Sequence, residues 1–197
     1  MLEHFFGSKT RLKLLKTFFR HPERAFYVRE LARLIGTQLH AVRREVANLG
    51  TIGLIKHLDH NPGPKEIGTE RSKFFQLNTS STLYPEMKAL LMKGEMLDEQ
   101  HLVDDIKEKG GDISLLMLTG QFVHDPEVET DILLVGKIKP IFVAKRIKNY
   151  ESDMQKVIRY TIMDDKEFND RRQIGDRFLF SLFEAKHLMM IDNYGIN

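Results

Sequence analysis

The chain has 197 residues, 42% of them hydrophobic and 29% charged, and its net charge is +2. That apolar share sustains a packed core and excludes a wholly disordered chain. No run reaches the ~18 uncharged apolar residues of a membrane span, and the opening MLEHFFGSKTRLKLL is too interrupted by charge for a secretory signal, so no membrane association is expected. There is no cysteine, which excludes disulfides, thiolate metal sites and cysteine nucleophiles and fits a cytoplasmic location.

The small net charge hides an asymmetry. Residues 1–93 hold 16 Lys and Arg against 8 Asp and Glu, leaving 14 and 20 of the 30 and 28 for residues 94–197. A basic half joined to an acidic half predicts two domains with different tasks, and the basic one suits a polyanion.

In chain order, Ser8 and Thr10 cap a predicted helix through LKLLKTFF, with Leu12, Leu15, Phe18 and Phe19 at helical spacing and Pro22 beyond its end. FYVRELARLIG predicts a second helix, striped by Leu31, Leu34 and Ile35 and closed by Gly36. Thr37 opens a third, TQLHAVRREVANLG. Leu39, Val42, Val46 and Leu49 share one face of it, and Gln38, His40, Arg43, Arg44 and Asn48 the other. Two short helices split by a glycine turn form a helix-turn-helix. Ile52-Gly53-Leu54-Ile55 then leads into a strand IKHLD, a loop HNPGPKEIGTERS dense in Gly, Pro and charge, and a strand KFFQLN, which together predict a hairpin with a long tip. His57 and His60, three apart on this hairpin, have no third ligand beside them and read as surface residues.

This order of elements, with VRREVANLGTIGLIK ending the third helix and entering the hairpin, resembles the winged helix-turn-helix of ArsR/MarR-type transcription regulators over about residues 8–93. The resemblance implies double-stranded DNA as partner. A major groove admits one helix whose side chains reach base edges and phosphates. The expected contacts are Thr37, Gln38, His40, Arg43 and Arg44, with Lys65 and Arg71 of the hairpin tip on phosphates or in the minor groove. The alternatives are a solvated polar face or a protein-binding winged helix.

From Leu83 to Ile106 an apolar rhythm through Met87, Leu90, Leu91, Leu97 and Leu102 predicts a connector helix, bent at Gly94 and stopped by Gly110-Gly111. In regulators of the type resembled such a helix forms the dimer seam, so a homodimer is expected, with Leu90, Leu97 and Leu102 contributing apolar surface.

The acidic half reads as strands DISLLMLTG, ETDILLVG, VIRYTIM and KHLMMID, alternating with helices over KPIFVAKRIKNYESDM and KEFNDRRQIGDRFLFSLFEA. A strand ending in glycine, a loop, then a carboxylate-x-carboxylate pair before an apolar strand resembles the minimal nucleotidyltransferases of the polymerase-β-like superfamily. There, two acids on one side of a strand, joined by a third from a neighbouring strand, hold Mg²⁺ against a nucleoside triphosphate. Gly120 matches the family glycine and Asp131 its second aspartate; Glu129 stands at the first, and Gln121 stands where the family has serine. The third strand offers Arg159, Tyr160 and Thr161, with no acid before Asp164-Asp165.

The sequence therefore predicts an α+β chain: a winged helix-turn-helix over residues 1–80, a helical connector over 81–111 and a nucleotidyltransferase-like α/β domain over 112–197. The function it points to is a DNA-binding transcriptional regulator whose second domain has a degraded catalytic motif, takes no cofactor, and dimerises or holds a nucleotide or protein ligand. Two other readings stand beside it. One is an active, Mg²⁺-dependent nucleotidyltransferase of toxin–antitoxin type, with Glu129 and Asp131 as metal ligands; the other is a protein–protein adaptor.

Overall fold

The structure, a computed structural model, describes residues 2–58, 73–125, 127–154 and 156–196. It is a mixed α/β chain with two small sheets and divides into two compact units, Met1–Asp98 and Glu99–Asn197.

The first unit opens with α1 (Leu2–Phe6) and α2 (Lys9–Arg20). Ser8 caps α2 as expected, its hydroxyl oxygen accepting the Arg11 N–H at 3.2 Å. The helix expected from Phe26 begins only at Val28 (α3, Val28–Leu34). Phe26–Tyr27 form a two-residue strand, β1, that pairs antiparallel with Phe75 and Phe74. The physical reason is aromatic burial, because Phe26 meets Phe18 edge-to-face at 5.6 Å in the core. Gly36, at φ +60°, ends α3, and the Thr37 N–H returns to the Ala32 carbonyl at 3.0 Å. α4 (Leu39–Thr51) follows, then β2 (Ile55–Leu58) and β3 (Phe74–Leu77), giving a sheet of order β1-β3-β2. Val42, Val46 and Leu49 of α4 are buried with Leu14, Leu15 and Phe18 of α2 and Leu31 of α3.

α5 (Tyr84–Lys109) runs unbroken across the division between the units. The helix is continuous through Gly94, where a bend was expected. A side chain at Gly94 would collide with Leu2 of α1, so this glycine serves a close approach of two helices. Within the first unit α5 is tied to α2 by Arg20–Glu95 at 2.7 Å and by Lys16–Asp98 at 3.5 Å.

The second unit contains β4 (Gly111–Leu118), a 3-10 turn at Gly120–Phe122, β5 (Ile132–Ile138), α6 (Pro140–Met154), β6 (Tyr160–Met163), α7 (Asp165–Gln173), α8 (Arg177–Glu184) and β7 (Leu188–Asp192). The sheet order is β6-β5-β4-β7. β4 and β5 are antiparallel, α6 crosses over to a parallel β6, and β7 lies antiparallel on β4. β4 and β5 read as continuous apolar runs because both faces are covered. Leu116, Leu118, Ile132 and Leu134 pack with Leu102 and Ile106 of α5 and Val143 and Ile147 of α6. Leu115, Met117, Leu133 and Val135 pack with Phe168 of α7 and Leu179 and Leu182 of α8. The single helix expected over KEFNDRRQIGDRFLFSLFEA is two: Gly175 takes φ +67° and Asp176 starts the second by accepting the Leu179 N–H at 3.1 Å.

Candidate functional site

Two groups of side chains were expected to carry chemistry, one in each unit. In the first, α4 begins at Leu39, two residues later than the Thr37 start expected, and Gln38 is its N-cap without using its side chain. The Thr37 hydroxyl instead donates to the Ile35 carbonyl at 3.3 Å, so Thr37 belongs to the turn. His40, Arg43, Arg44, Ala47 and Asn48 are all exposed along one side of the helix, and Gln38 is exposed at its N-cap. Arg44 is 71% exposed, and its guanidinium meets the neighbouring Glu45 carboxylate only at 3.7 Å. A face of this kind presents donors and cations with little internal demand on them. Lys65, Arg71 and His60 lie outside the described residues; His57, on β2, packs edge-on against Phe75 at 5.6 Å.

Sequence reasoning passed over Glu45. Its carboxylate is buried between α4 and the start of α2, where it accepts the Ser8 hydroxyl at 3.0 Å, Arg11 Nε at 2.9 Å and Asn48 Nδ2 at 3.4 Å. Burial pushes this carboxyl up, and the bonds from Arg11, Ser8 and Asn48 outweigh it, so it titrates below the usual range. The available signal was its spacing, three residues after Val42 and four before Leu49, on the buried stripe of the helix.

In the second unit, Gly120 adopts φ +55°, and a methyl group there would run into the Asp131 carboxylate. The tight turn lets the Gln121 N–H donate to Asp131 Oδ1 at 2.9 Å, while the Gln121 side chain donates to the Val157 carbonyl at 2.5 Å. Asp131 is wholly buried just before β5. Because Ile132 is in register with Tyr160, Arg159 stands beside Asp131 at the start of the neighbouring strand. Asp131 Oδ2 accepts the Arg159 backbone N–H at 2.8 Å and Nε at 3.2 Å, and Oδ1 accepts Nη2 at 3.0 Å. Burial raises the Asp131 carboxyl; the Arg159 side chain and the Arg159 and Gln121 amides outweigh it, so it is held below the ordinary carboxylate range.

The expected pairing of Glu129 with Asp131 on one side of a strand is corrected. β5 starts only at Ile132, and Glu129 is exposed in the preceding turn while Asp131 is buried. The acids after the third strand are also committed elsewhere. Asp164 accepts the Glu167 N–H at 2.7 Å as the cap of α7, and Asp165 accepts the Tyr194 hydroxyl at 2.6 Å. Among the described residues no three His, Asp or Glu side chains are grouped so as to hold a metal ion. A metal ligand needs lone pairs directed at the ion, and those of Asp131 are directed at four N–H donors.

No family model, curated protein or solved structure matches the chain. Among the described residues no helix is long and apolar enough to cross a membrane.

Proposed function

We propose that this chain is a DNA-binding transcriptional regulator whose second unit is a nucleotidyltransferase-like domain without catalysis. The observation that carries the reading is the exposed face of α4. It sets His40, Arg43 and Arg44 together on the second helix of a helix–turn–helix pair, with Gln38 at the N-cap, in the half of the chain that holds its excess of basic residues. The succession α3, glycine turn, α4, β2 and β3, with β1 on the far side of β3, supports a winged helix. In that arrangement α4 enters a major groove by its N-terminal half, Arg43 reads a base edge and Arg44 grips a phosphate.

Support for the second half of the reading comes from topology and charge. An antiparallel β4–β5 pair joined through a glycine turn, then a helical crossover to a parallel β6, gives a buried α/β sheet of the class expected for this half. Arg159 occupies the neighbouring-strand place from which a third acid would come, and it replaces the charge of a metal ion with its own. Two cations cannot be held where one guanidinium already neutralises the one buried carboxylate.

The test is a selection of bound duplexes from a random-sequence pool by the purified chain, followed by affinity measurement on the best site. An enriched motif, with Arg43→Ala losing about 1–3 kcal/mol at one base pair of it, is the expected result. A pool that returns unenriched overturns the reading. The enzymatic alternative is checked alongside: with Mg²⁺ and labelled nucleoside triphosphates, transfer that vanishes on Asp131→Ala would establish an active transferase.

A further inference from the structure

β7 is an edge strand. It pairs with β4 on one side, and no described strand pairs with the other. An edge strand turns the N–H and C=O groups of alternate residues outward, and proteins usually blunt such an edge with charge, proline or a covering loop. Leu188-Met189-Met190-Ile191 contains neither charge nor proline. Every residue of the strand keeps some exposure, in contrast to the buried runs of β4 and β5, and Leu188 is 50% exposed. The chain beyond it turns back over the sheet: Asp192 accepts the Tyr194 and Ile196 N–H groups at 3.0 and 2.8 Å, and the Tyr194 hydroxyl donates to Asp165. That course carries the tail away from the open edge. One protective device is present, a shift of register at Met190 in the pairing with β4, and such a bulge adds twist without supplying the missing partner.

The strand is also flanked by opposite charges. Lys186 and His187 precede the apolar run and Asp192 closes it. Two copies of this strand laid antiparallel about a two-fold axis place base opposite acid at both ends. Centred on Met189 the pairing sets Lys186 against Asp192; centred one half-step later it sets His187 against Asp192 and Leu188 against Ile191. Parallel pairing would set like charge on like.

We propose that the free edge of β7 is the docking surface for a second copy of this chain, which adds its own β7 antiparallel and joins the two four-stranded sheets into one. The interface is self-complementary and closes at two copies. The outer edges of the joined sheet are then the four-residue β6 strands, flanked by Arg159 and Asp164. The proposal is independent of what α4 binds.

The experiment is sedimentation equilibrium of the full chain from about 1 to 100 μM, the range in which interfaces of modest area associate. The expected species is a dimer of twice 23.0 kDa. Lys186→Glu, which sets acid against Asp192, is expected to raise the dimer dissociation constant roughly tenfold or more, and Leu188→Lys to do the same. Met96→Lys, on the exposed side of α5, is expected to leave the dimer intact. Lys186 is exposed and absent from every core cluster, so its replacement reports on the edge even if Leu188→Lys unfolds the domain. In amide exchange, β7 amides should become more protected as concentration rises. A monomer throughout the range overturns the proposal. So does a dimer that ignores Lys186→Glu but dissociates with Met96→Lys, which would place the seam on α5.

Discussion

At the scale of single residues, Asp131 and Arg159 form the ion pair around the buried carboxylate of the second unit. A buried carboxylate is costly unless every lone pair has a donor, and here two backbone amides and one guanidinium supply them. Gly120 is part of the same device, because any side chain at φ +55° would be strained and would also strike the carboxylate. Arg159→Ala is expected to cost roughly 2–4 kcal/mol, since it leaves the buried charge with the two backbone amides alone; urea unfolding of the variant beside the parent measures this. The pH dependence has a defined sign. The Asp131 carboxyl is held below its unfolded value of about 3.9, so its contribution is complete above that pH and is lost as pH falls through the folded value. With Arg159 removed the folded value rises, and the acid limb of the stability profile moves to higher pH. An acid limb that stays in place in Arg159→Ala would show that the guanidinium does not hold the carboxylate.

At the scale of elements, most helices and strands were legible from periodicity, and the departures share a cause. Gly94 was expected to bend a helix, but the pattern along one helix carries no information about Leu2 lying across it. Phe26 and Tyr27 opened the predicted second helix, yet aromatic packing of Phe26 on Phe18 and of Tyr27 on Phe74 drew them into a strand. Of the three leucines expected at a dimer seam, Leu102 is inside the second core at 1% exposure, Leu90 packs on the first, and Leu97 is 41% exposed. A helix that serves two cores shows apolar residues on several sides, and sequence alone does not say which side stays open. The exposed face of α4 was legible because its partner face keeps a regular spacing. Glu45 was not, because a charge on a buried stripe is read as an exception until Ser8 and Arg11 are seen around it. This carboxylate ties α4 to the start of α2. Glu45→Gln, by weakening its charge-assisted bonds, is expected to lower the melting temperature and to reduce stability by roughly 1.5–3 kcal/mol. The loss should be fully expressed above the unfolded glutamate value of about 4.3 and shrink as pH falls below it, because the parent carboxyl is held low in the fold. Calorimetry of both forms from neutral pH downward measures it, and a constant difference across that range would place the effect elsewhere than in the charge.

For the molecule as a whole, the charge asymmetry is the feature that the sequence displays most openly. The basic half carries the helix–turn–helix pair; the acidic half carries the sheet with the arginine-locked aspartate. On the proposed reading this separation would confine a polyanion to one half of the chain, where cations act on DNA of any sequence through released counterions. The most direct measurement is the affinity of the full chain for a random-sequence duplex as a function of salt, for the parent and for Arg43→Ala/Arg44→Ala. If α4 lies in the groove, the parent shows a steep fall of log K with log salt. The double replacement then weakens binding and lowers that slope by about one unit for each phosphate no longer neutralised. Equal affinity and equal slope for the two proteins at about 100 mM salt would contradict the account and leave α4 as a surface for protein.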